Sequence, residues 1–290
     1  MSERVAEPTN FPQLAAASFR MVCSRLRWSC VVLALVFVSS VSVSAQLPFY
    51  TDDADTTAKG KFHFEFSNEY DWLQRSALPG TSQNTSLFTL NYGLTDRIEL
   101  GVNTPFIKIF NERNSRLGNP NGLGDIQFGV KLRLFDERDG SKRPAVTAVF
   151  YVEAPTGSTR KQIGSGRMDY WVYGVLQKSL TKRTTGRLNG GIVFAGNDSS
   201  GLVGIQAPRG QVFTANGSLV RDFTPRLKLG AELFGAVTNN FALSRGQLMG
   251  QIGGGYVLTE KLELTFGVLA GRFPASPSAG IQLGFAYDFK

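Results

Sequence analysis

The sequence predicts an all-β protein, an antiparallel transmembrane β-barrel of about 12 strands after a cleaved N-terminal signal peptide. Three observations predict this fold. Segments long enough to cross a bilayer alternate apolar and polar side chains, short connections alternate with long polar ones, and an export signal precedes the first segment. A period of two places apolar side chains on one face of a strand and polar side chains on the other.

The composition is compatible with a barrel and excludes a bundle of membrane helices. The 290 residues have a mean hydropathy of −0.08, with 42% hydrophobic and 19% charged residues. A helical span needs about 20 nearly continuous apolar residues, whereas a barrel strand averages a lipid-facing and a lumen-facing side. The 32 glycines and the 11% aromatic content favour β structure, and the formal net charge is +8.

The N-terminus has the three parts of a secretory signal. Arg25 and Arg27 precede an apolar run over residues 30–38, which leads to the small residues Val43-Ser44-Ala45. This order predicts a signal peptide over residues 1–45 that is cut after Ala45. The apolar run is too short to span a bilayer. Met21 would open a signal of more ordinary length, so the true start is either Met1 or Met21.

The first predicted strand covers residues 61–72 and shows the alternation most clearly. Its apolar face carries Phe62, Phe64 and Phe66, and its polar face carries His63 and Glu65. Each predicted segment is close to the 9–11 residues that cross a bilayer as a tilted strand. The other eleven segments are 85–93, 97–106, 124–135, 145–154, 169–180, 187–195, 211–221, 226–237, 247–257, 262–271 and 279–289.

The connections divide the barrel into two ends. Five short links contain Gly, Asp, Thr and Pro, as tight turns do, and six longer polar stretches lie between them. Short periplasmic turns opposite longer extracellular loops are typical of outer-membrane barrels. An even strand number places both termini in the periplasm, so residues 46–60 form an acidic periplasmic lead-in and residues 61–290 the barrel. The alternative is a secreted β-sandwich, whose strands also alternate.

Alternation also predicts which charges line the lumen and at what height. The lumen wall near the periplasmic end is expected to be basic and the wall near the outer end acidic. We hypothesise that Asp52, Asp53 and Asp55 enter the periplasmic mouth of the barrel and pair with the basic residues there. The alternative is that the charges of the lumen wall pair with one another. The predicted lumen-lining residues are Arg97, Glu99, Asp125, Lys131, Arg133, Glu153, Arg187, Arg226, Lys228, Glu232 and Glu263.

Three aromatic residues, Tyr151, Trp171 and Tyr173, fall on the predicted inner face in the outer half of the barrel. One interpretation is a stacking patch for an aromatic or otherwise apolar solute. The other is that these side chains fill space, because a lumen of this strand number has room for large side chains but not for a wide channel.

Several segments resemble one family. They are Pro48-Phe49-Tyr50-Thr51-Asp52-Asp53-Ala54-Asp55-Thr56, the stretch from Tyr92-Gly93-Leu94-Thr95-Asp96 to Gly101, the stretch from Gly122-Leu123-Gly124-Asp125 to Gly129, and Pro155-Thr156-Gly157. Together they resemble the "MetA-pathway of phenol degradation" family of outer-membrane transporters over most of the mature chain. The resemblance implies a small barrel that passes aromatic or other hydrophobic compounds. The motifs themselves are turns and strand ends, so they identify architecture better than cargo.

Little in the mature chain points to catalysis. Both cysteines, Cys23 and Cys30, lie in the predicted signal peptide, which excludes thiol chemistry and disulfides from the mature chain. A lipolytic enzyme using His63, the single histidine, is the less favoured alternative, because a serine nucleophile needs an adjacent base. We expect no cofactor and no metal site, although the Asp52-Asp53-x-Asp55 cluster could bind calcium.

The sequence therefore predicts a channel or transporter, not an enzyme, for small solutes, aromatic or hydrophobic ones among them, in the outer membrane of a Gram-negative bacterium. A non-transporting structural or adhesive barrel is the main alternative. Expected partners are the solute, outer-membrane lipid, lipopolysaccharide and the barrel-assembly machinery. The basic outer loops suit lipopolysaccharide phosphates. The cations are not gathered on an aromatic strand face, so no nucleic-acid partner is expected.

Overall fold

The computed structural model of the chain describes residues 48–138, 140–195, 210–238 and 246–289. The predicted signal peptide and the parts of two predicted outer loops at 196–209 and 239–245 lie outside these residues. No helix in the described ranges is long and apolar enough to cross a membrane.

Thirteen strands make up the described structure. They are joined by turns and by two short 3-10 helices, Arg75–Ala77 and Thr159–Lys161. The strands are β1 (Phe62–Trp72), β2 (Gly80–Thr95), β3 (Ile98–Asn111), β4 (Asn121–Leu123), β5 (Ile126–Phe135), β6 (Ala145–Ala154), β7 (Asp169–Thr181), β8 (Thr184–Ala195), β9 (Gly210–Asp222), β10 (Leu227–Thr238), β11 (Gln247–Thr259), β12 (Leu262–Gly271) and β13 (Ala279–Phe289).

The sheet closes on itself as an antiparallel barrel. Strand β1 pairs with β2 on one side and with β13 on the other, and β2 also pairs with β3. The short β4 and the longer β5 both pair with β3, one above the other, so they form a single interrupted strand of the wall. The wall therefore has twelve strands, and the predicted fold class is confirmed.

The distribution of side chains is that of a membrane barrel. The residues that the wall turns inward are polar and buried, as with Glu65 (3% exposed) and Lys131 (5%), whereas outward leucines such as Leu188 (60%) and Leu283 (63%) are exposed. A soluble sandwich buries apolar side chains between two sheets, so the sandwich alternative is wrong. An apolar outer surface on a closed barrel is stable only against lipid.

Two cations, Lys178 and Arg221, fall on the outward-facing side of their strands and lie at the turn end of the barrel. The Lys178 Nζ lies 2.5 Å from the Glu137 Oε1 and 2.7 Å from the Ser141 carbonyl oxygen. The Arg221 guanidinium lies 5.8 Å from the centre of the Phe223 ring. Pairing and stacking at the rim keep both charges out of the apolar band.

Strands β2 and β3 are longer than the alternation predicts. Their pairing runs on from the predicted ends, at 85 and 106, to Gly80 and Asn111. The added residues of β2 are polar, from Thr81 to Asn84. A strand end that projects beyond the lipid needs no apolar outer face, so in β2 the periodic signal stops before the strand does. In β3 the added Ile107 and Ile109 are buried and form a small apolar cluster with Ile163.

Candidate functional site: the lumen and its bound lead-in

The described part of the lead-in, residues 48–60, runs inside the barrel. Thr51 and Ala54 are fully buried, and Asp52 and Asp53 are 6% and 4% exposed. A charged segment so deeply buried must be held by partners, because an unpaired buried charge is very costly. The partners lie on strands from opposite sides of the wall.

The lead-in joins the barrel at the turn end through backbone contacts. Lys59 forms a parallel bridge with Gly93, and the Gly60 amide donates to the Gly93 carbonyl over 2.7 Å. A side chain at Gly93 would stand 2.2 Å from the Ala58 carbonyl oxygen, so only glycine permits this approach. One step further in, the Thr57 amide and hydroxyl donate to the Glu99 carboxylate over 2.6 and 2.7 Å.

An ionic cluster holds the middle of the lead-in. The Lys131 ammonium lies 3.1 Å from the Asp52 carboxylate and 3.0 Å from the Asp53 carboxylate. The Arg187 guanidinium lies 3.8 Å from Asp53, and the side chains of all four residues are at most 10% exposed. Asp55 contacts Arg133 over 3.2 Å nearer the rim. The three lead-in carboxylates thus meet three of the predicted basic lumen residues.

The two buried aspartates experience this cluster differently. Burial raises the pKa of the Asp53 carboxyl, but the attraction of Lys131 and Arg187 outweighs it and holds the pKa below its usual value. For Asp52, burial outweighs the attraction of Lys131, and the pKa is raised. The negative charge on Asp53 is therefore the one that the docked position favours.

Uncharged groups complete the middle contacts. The Tyr173 hydroxyl donates to Asp52 over 2.7 Å, and the Thr147 hydroxyl donates to the Ala54 carbonyl over 2.7 Å. The Gln177 amide donates to Asp55 over 3.1 Å. Ala54 packs on a small apolar cluster of Ala145, Val149 and Val175. The hydrogen bond from Thr147 satisfies a buried carbonyl, and those from Tyr173 and Gln177 add to the ion pairs of Asp52 and Asp55.

The inner end of the lead-in reaches the opposite wall. The Glu232 carboxylate accepts hydrogen bonds from the Tyr50 and Thr51 amides over 2.9 and 2.8 Å. The Tyr50 hydroxyl donates to the Glu69 carboxylate over 2.6 Å, and Gln251 donates to the Pro48 carbonyl over 2.8 Å. The sequence analysis placed the lead-in at the mouth of the barrel only. In the structure the lead-in continues past the mouth and crosses the lumen.

Not every predicted lumen residue takes part in this docking. Arg97 and Arg226 lie in turns, because β3 and β10 begin one residue later, and both are exposed. Arg97 pairs with Asp136 at 3.0 Å, so its expected place on the wall is wrong, as is that of Arg226. Lys228 lies 3.8 Å from Glu263, which is 2% exposed.

The two predicted acidic residues near the loop end hold other parts of the protein. Asp125, which directly precedes β5, accepts hydrogen bonds from the Gly157 and Ser165 amides of the connection between β6 and β7. Glu153 accepts a hydrogen bond from the Gln127 amide over 2.6 Å. Both carboxylates are buried, and Asp125 fixes the outer connection over the wall.

Two of the three predicted aromatic residues come together. The Tyr151 and Tyr173 rings are stacked at 11° with their centres 6.4 Å apart. The Tyr151 ring lies over Gly129 of the neighbouring strand, where an added side-chain carbon would stand 2.1 Å from the ring. The Tyr151 ring therefore lies flat on the wall, and the Tyr173 ring, nearly parallel to it, carries the hydroxyl that contacts the lead-in. Trp171 is directly opposite Tyr151 in the β6–β7 register but is not part of this stack.

His63 is held by two carboxylates at the seam where the barrel closes. Its Nδ1 lies 2.5 Å from Asp288 on β13, and its Nε2 lies 2.8 Å from Glu65 on β1. With both ring nitrogens engaged, the imidazole has no nitrogen free to activate a serine. Among the described residues, no group of three His, Cys, Asp or Glu side chains is arranged to hold a metal ion.

The neutral half of the docking site is not predicted by the sequence. Tyr50, Thr51 and Thr57 make most of the hydrogen bonds from the lead-in to Glu69, Glu99 and Glu232. Phe234, whose ring lies 5.6 Å from Tyr50, was also missed. One signal was present: Phe49 and Tyr50 stand next to the acidic run, and adjacent aromatic residues favour burial over a solvated tail.

Solved structures share this architecture. An outer-membrane channel from Pseudomonas putida F1 aligns with a TM-score of 0.64 at 16% identity, covering 86% of this chain and 100% of that one. The NanC porin aligns with a TM-score of 0.54 at 9% identity, covering 77% and 98%. The KdgM porin aligns with a TM-score of 0.50 at 11% identity, covering 79% and 99%. These likenesses show the fold.

Among curated proteins, none matches the chain in sequence. The model of one family, described as "Putative MetA-pathway of phenol degradation", matches residues 40–289. This span contains every described strand and the whole lead-in. The closed barrel with its apolar outer surface is an outer-membrane protein, and the chain belongs to the MetA-pathway of phenol degradation family.

Proposed function

We propose that this barrel is a channel for small solutes in the outer membrane and that the lead-in restricts it at rest. One observation carries the proposal: a polar lumen is occupied by a segment of the same chain, which is held by ion pairs and hydrogen bonds. A purely structural barrel needs no polar docking site in its interior. The P. putida channel and the two porins of the same fold support passage of solutes.

The residues we assign to the solute path are those of the docking site. Lys131, Arg133 and Arg187 supply positive charge, and Glu99 and Glu232 supply negative charge. We further propose that the Tyr151 and Tyr173 rings contact apolar parts of the solute, because flat rings on a lumen wall offer a stacking surface.

We also propose partners for the outside of the barrel. The outer end carries basic residues such as Lys108, Arg160 and Arg167, and these suit the phosphates of lipopolysaccharide. Aromatic side chains at the opposite rim, including a tilted Phe62 and Tyr92 pair at 4.7 Å, suit the interface with lipid. Insertion by the barrel-assembly machinery accords with the aromatic Phe289 near the C-terminus.

Swelling of proteoliposomes in small neutral solutes tests the proposal. We expect slow swelling with the wild-type chain and faster swelling with a variant that lacks residues 48–56, because the deletion removes the segment that crosses the lumen. The control is Asp222→Asn, which alters an exposed aspartate outside the docking site. If neither the wild type nor the deletion variant swells in any solute, the barrel is not a channel and the structural alternative is right.

A lipolytic function has less support. His63 has no nitrogen available for a serine, and it lies on the lumen side of β1, away from lipid substrates. Loss of phospholipid hydrolysis on changing His63 would favour the enzyme and contradict the channel assignment.

A further inference from the structure

The lead-in presents an anion to a built cationic site inside the lumen. Two carboxylates, Asp52 and Asp53, share the Lys131 ammonium at 3.1 and 3.0 Å, and Arg187 stands 3.8 Å from Asp53. The Lys131 side chain is 6% exposed and that of Arg187 10%. Cations this deeply buried require an anion to neutralise them.

Aromatic surface adjoins the same cations. The Tyr173 hydroxyl donates to Asp52, and the Tyr173 ring stacks on that of Tyr151, so two aromatic rings lie next to the carboxylate. Gly129 leaves room for the Tyr151 ring to lie against the wall. One place in the lumen therefore combines positive charge, a hydroxyl donor and two aromatic faces.

Charge indicates what a replacement for the lead-in must supply. Two buried cations, Lys131 and Arg187, meet here, and among the described residues the carboxylates within 4 Å of them are Asp52 and Asp53 of the lead-in. Without the lead-in, both cations lose their ion pairs. A solute with a carboxylate restores a negative charge at this place, whereas a cationic solute would add to the positive charge.

We infer that this site binds small aromatic carboxylates, which replace the lead-in on Lys131 and Arg187 and thereby open the lumen. The inference rests on the proposed channel function and names its solute class. A ligand shifts a conformational equilibrium only when it binds one state better than the other. An aromatic acid binds only the state in which the lead-in is released, because its carboxylate and ring need the space that Asp52 and Asp53 occupy in the docked state.

Single-cysteine labelling of the full chain tests the inference. Ala54→Cys places a thiol at a fully buried lead-in position, and Cys23 and Cys30, the only other cysteines of the sequence, are changed to serine so that this thiol alone reacts. We expect the rate of maleimide labelling of the folded protein to rise severalfold, and to saturate, with benzoate. Benzamide, benzylamine and acetate should leave the rate unchanged. Benzamide and benzylamine lack the negative charge, and acetate lacks the aromatic ring.

Two controls make this result specific. Ala58→Cys lies on the exposed part of the lead-in and should be labelled at one rate whether or not benzoate is present. Adding Arg187→Gln to Ala54→Cys should raise the benzoate concentration needed for half-maximal acceleration severalfold, whereas Arg97→Gln should not. Circular dichroism of each variant confirms that the barrel is folded.

The outcomes separate this inference from the channel proposal. No acceleration by benzoate, or equal acceleration by benzamide, overturns the aromatic-carboxylate inference even if the deletion variant swells in neutral solutes. Failure of all liposome swelling, with benzoate-specific labelling retained, overturns the channel proposal and leaves a binding protein for aromatic acids.

Discussion

At the scale of single residues, neighbouring aspartates of the lead-in have different roles. Asp53 faces two cations and Asp52 faces one, and only for Asp53 do the cations outweigh the effect of burial on the pKa. A lowered pKa means that the charged form favours the docked state above the usual value of 3.8 and that this contribution is lost as the pH falls through the lowered pKa. For Asp52, ionisation opposes docking.

This difference predicts unequal effects of two matched substitutions. Asp53→Asn should favour release of the lead-in by about 1.5–3 kcal/mol, the size of a hydrogen bond to a charged group, which corresponds to roughly tenfold or more. Asp52→Asn should have a much smaller effect. The labelling rate of the Ala54→Cys thiol at pH 7 measures both. Equal rates in the two variants would show that the pairing with Arg187 is not important.

His63 makes the second prediction at this scale. Its ring lies between Glu65 and Asp288 at the seam of β1 and β13. His63→Leu leaves the two carboxylates without the ring between them, so we expect lower thermal stability of the barrel, by about 1–3 kcal/mol, with no loss of solute passage once folded. Thermal unfolding followed by circular dichroism measures the change, with Ser67→Ala on the same face as the control. An unchanged unfolding midpoint would rule out a seam role.

At the scale of elements, the close approach of the lead-in depends on Gly93 in β2. A side chain there would enter the space of the Thr57 and Ala58 carbonyls. Gly93→Val should therefore displace residues 57–60 of the lead-in from the barrel wall and expose the thiol of Ala54→Cys. Gly174→Val, on the outer face of β7 with open space around it, should leave labelling slow. Equally slow labelling in both variants would contradict the role of Gly93.

The strands and their faces could be predicted from the sequence because lipid and water impose opposite demands on alternate residues. The opposite requirements of lipid and water end where the strands leave the bilayer. The polar extension of β2 from Gly80 to Asn84 pairs with β3 outside the apolar band, and no periodicity marks it. Arg97 and Arg226 were misplaced for the same reason, since a difference of one residue in a strand end moves a side chain from the wall into a turn.

The docking site could be predicted only in part. Charge indicated that Asp52, Asp53 and Asp55 would meet basic residues of the lower lumen, and the structure pairs them with three of these, Lys131, Arg133 and Arg187. The path of the lead-in to Glu232 and Glu69 could not be predicted, because it is set by backbone amides and a tyrosine hydroxyl with no sequence pattern of their own. The flat Tyr151 ring likewise depends on a glycine of the neighbouring strand, Gly129, which only the strand register brings beneath it.

At the scale of the whole molecule, the barrel reverses the arrangement of a soluble protein. Its outer surface is apolar, and its interior is a polar site filled by its own N-terminal segment. A barrel between the packed eight-stranded and the open sixteen-stranded sizes has a lumen that one extended segment can occupy. Under the proposed function, passage depends on whether the lead-in stays docked, and the charges that hold the lead-in are the charges that a solute would meet.

Single-channel conductance in planar bilayers tests this account most directly. The variant is Asp52→Asn/Asp53→Asn/Asp55→Asn, with Asp222→Asn as a control for loss of an exposed carboxylate. We predict that the triple variant has a higher conductance, or opens more often, than the wild type and the control, because the lead-in loses its ion pairs with Lys131, Arg133 and Arg187. Conductance equal to that of the wild type would contradict the claim that the docked lead-in restricts the lumen.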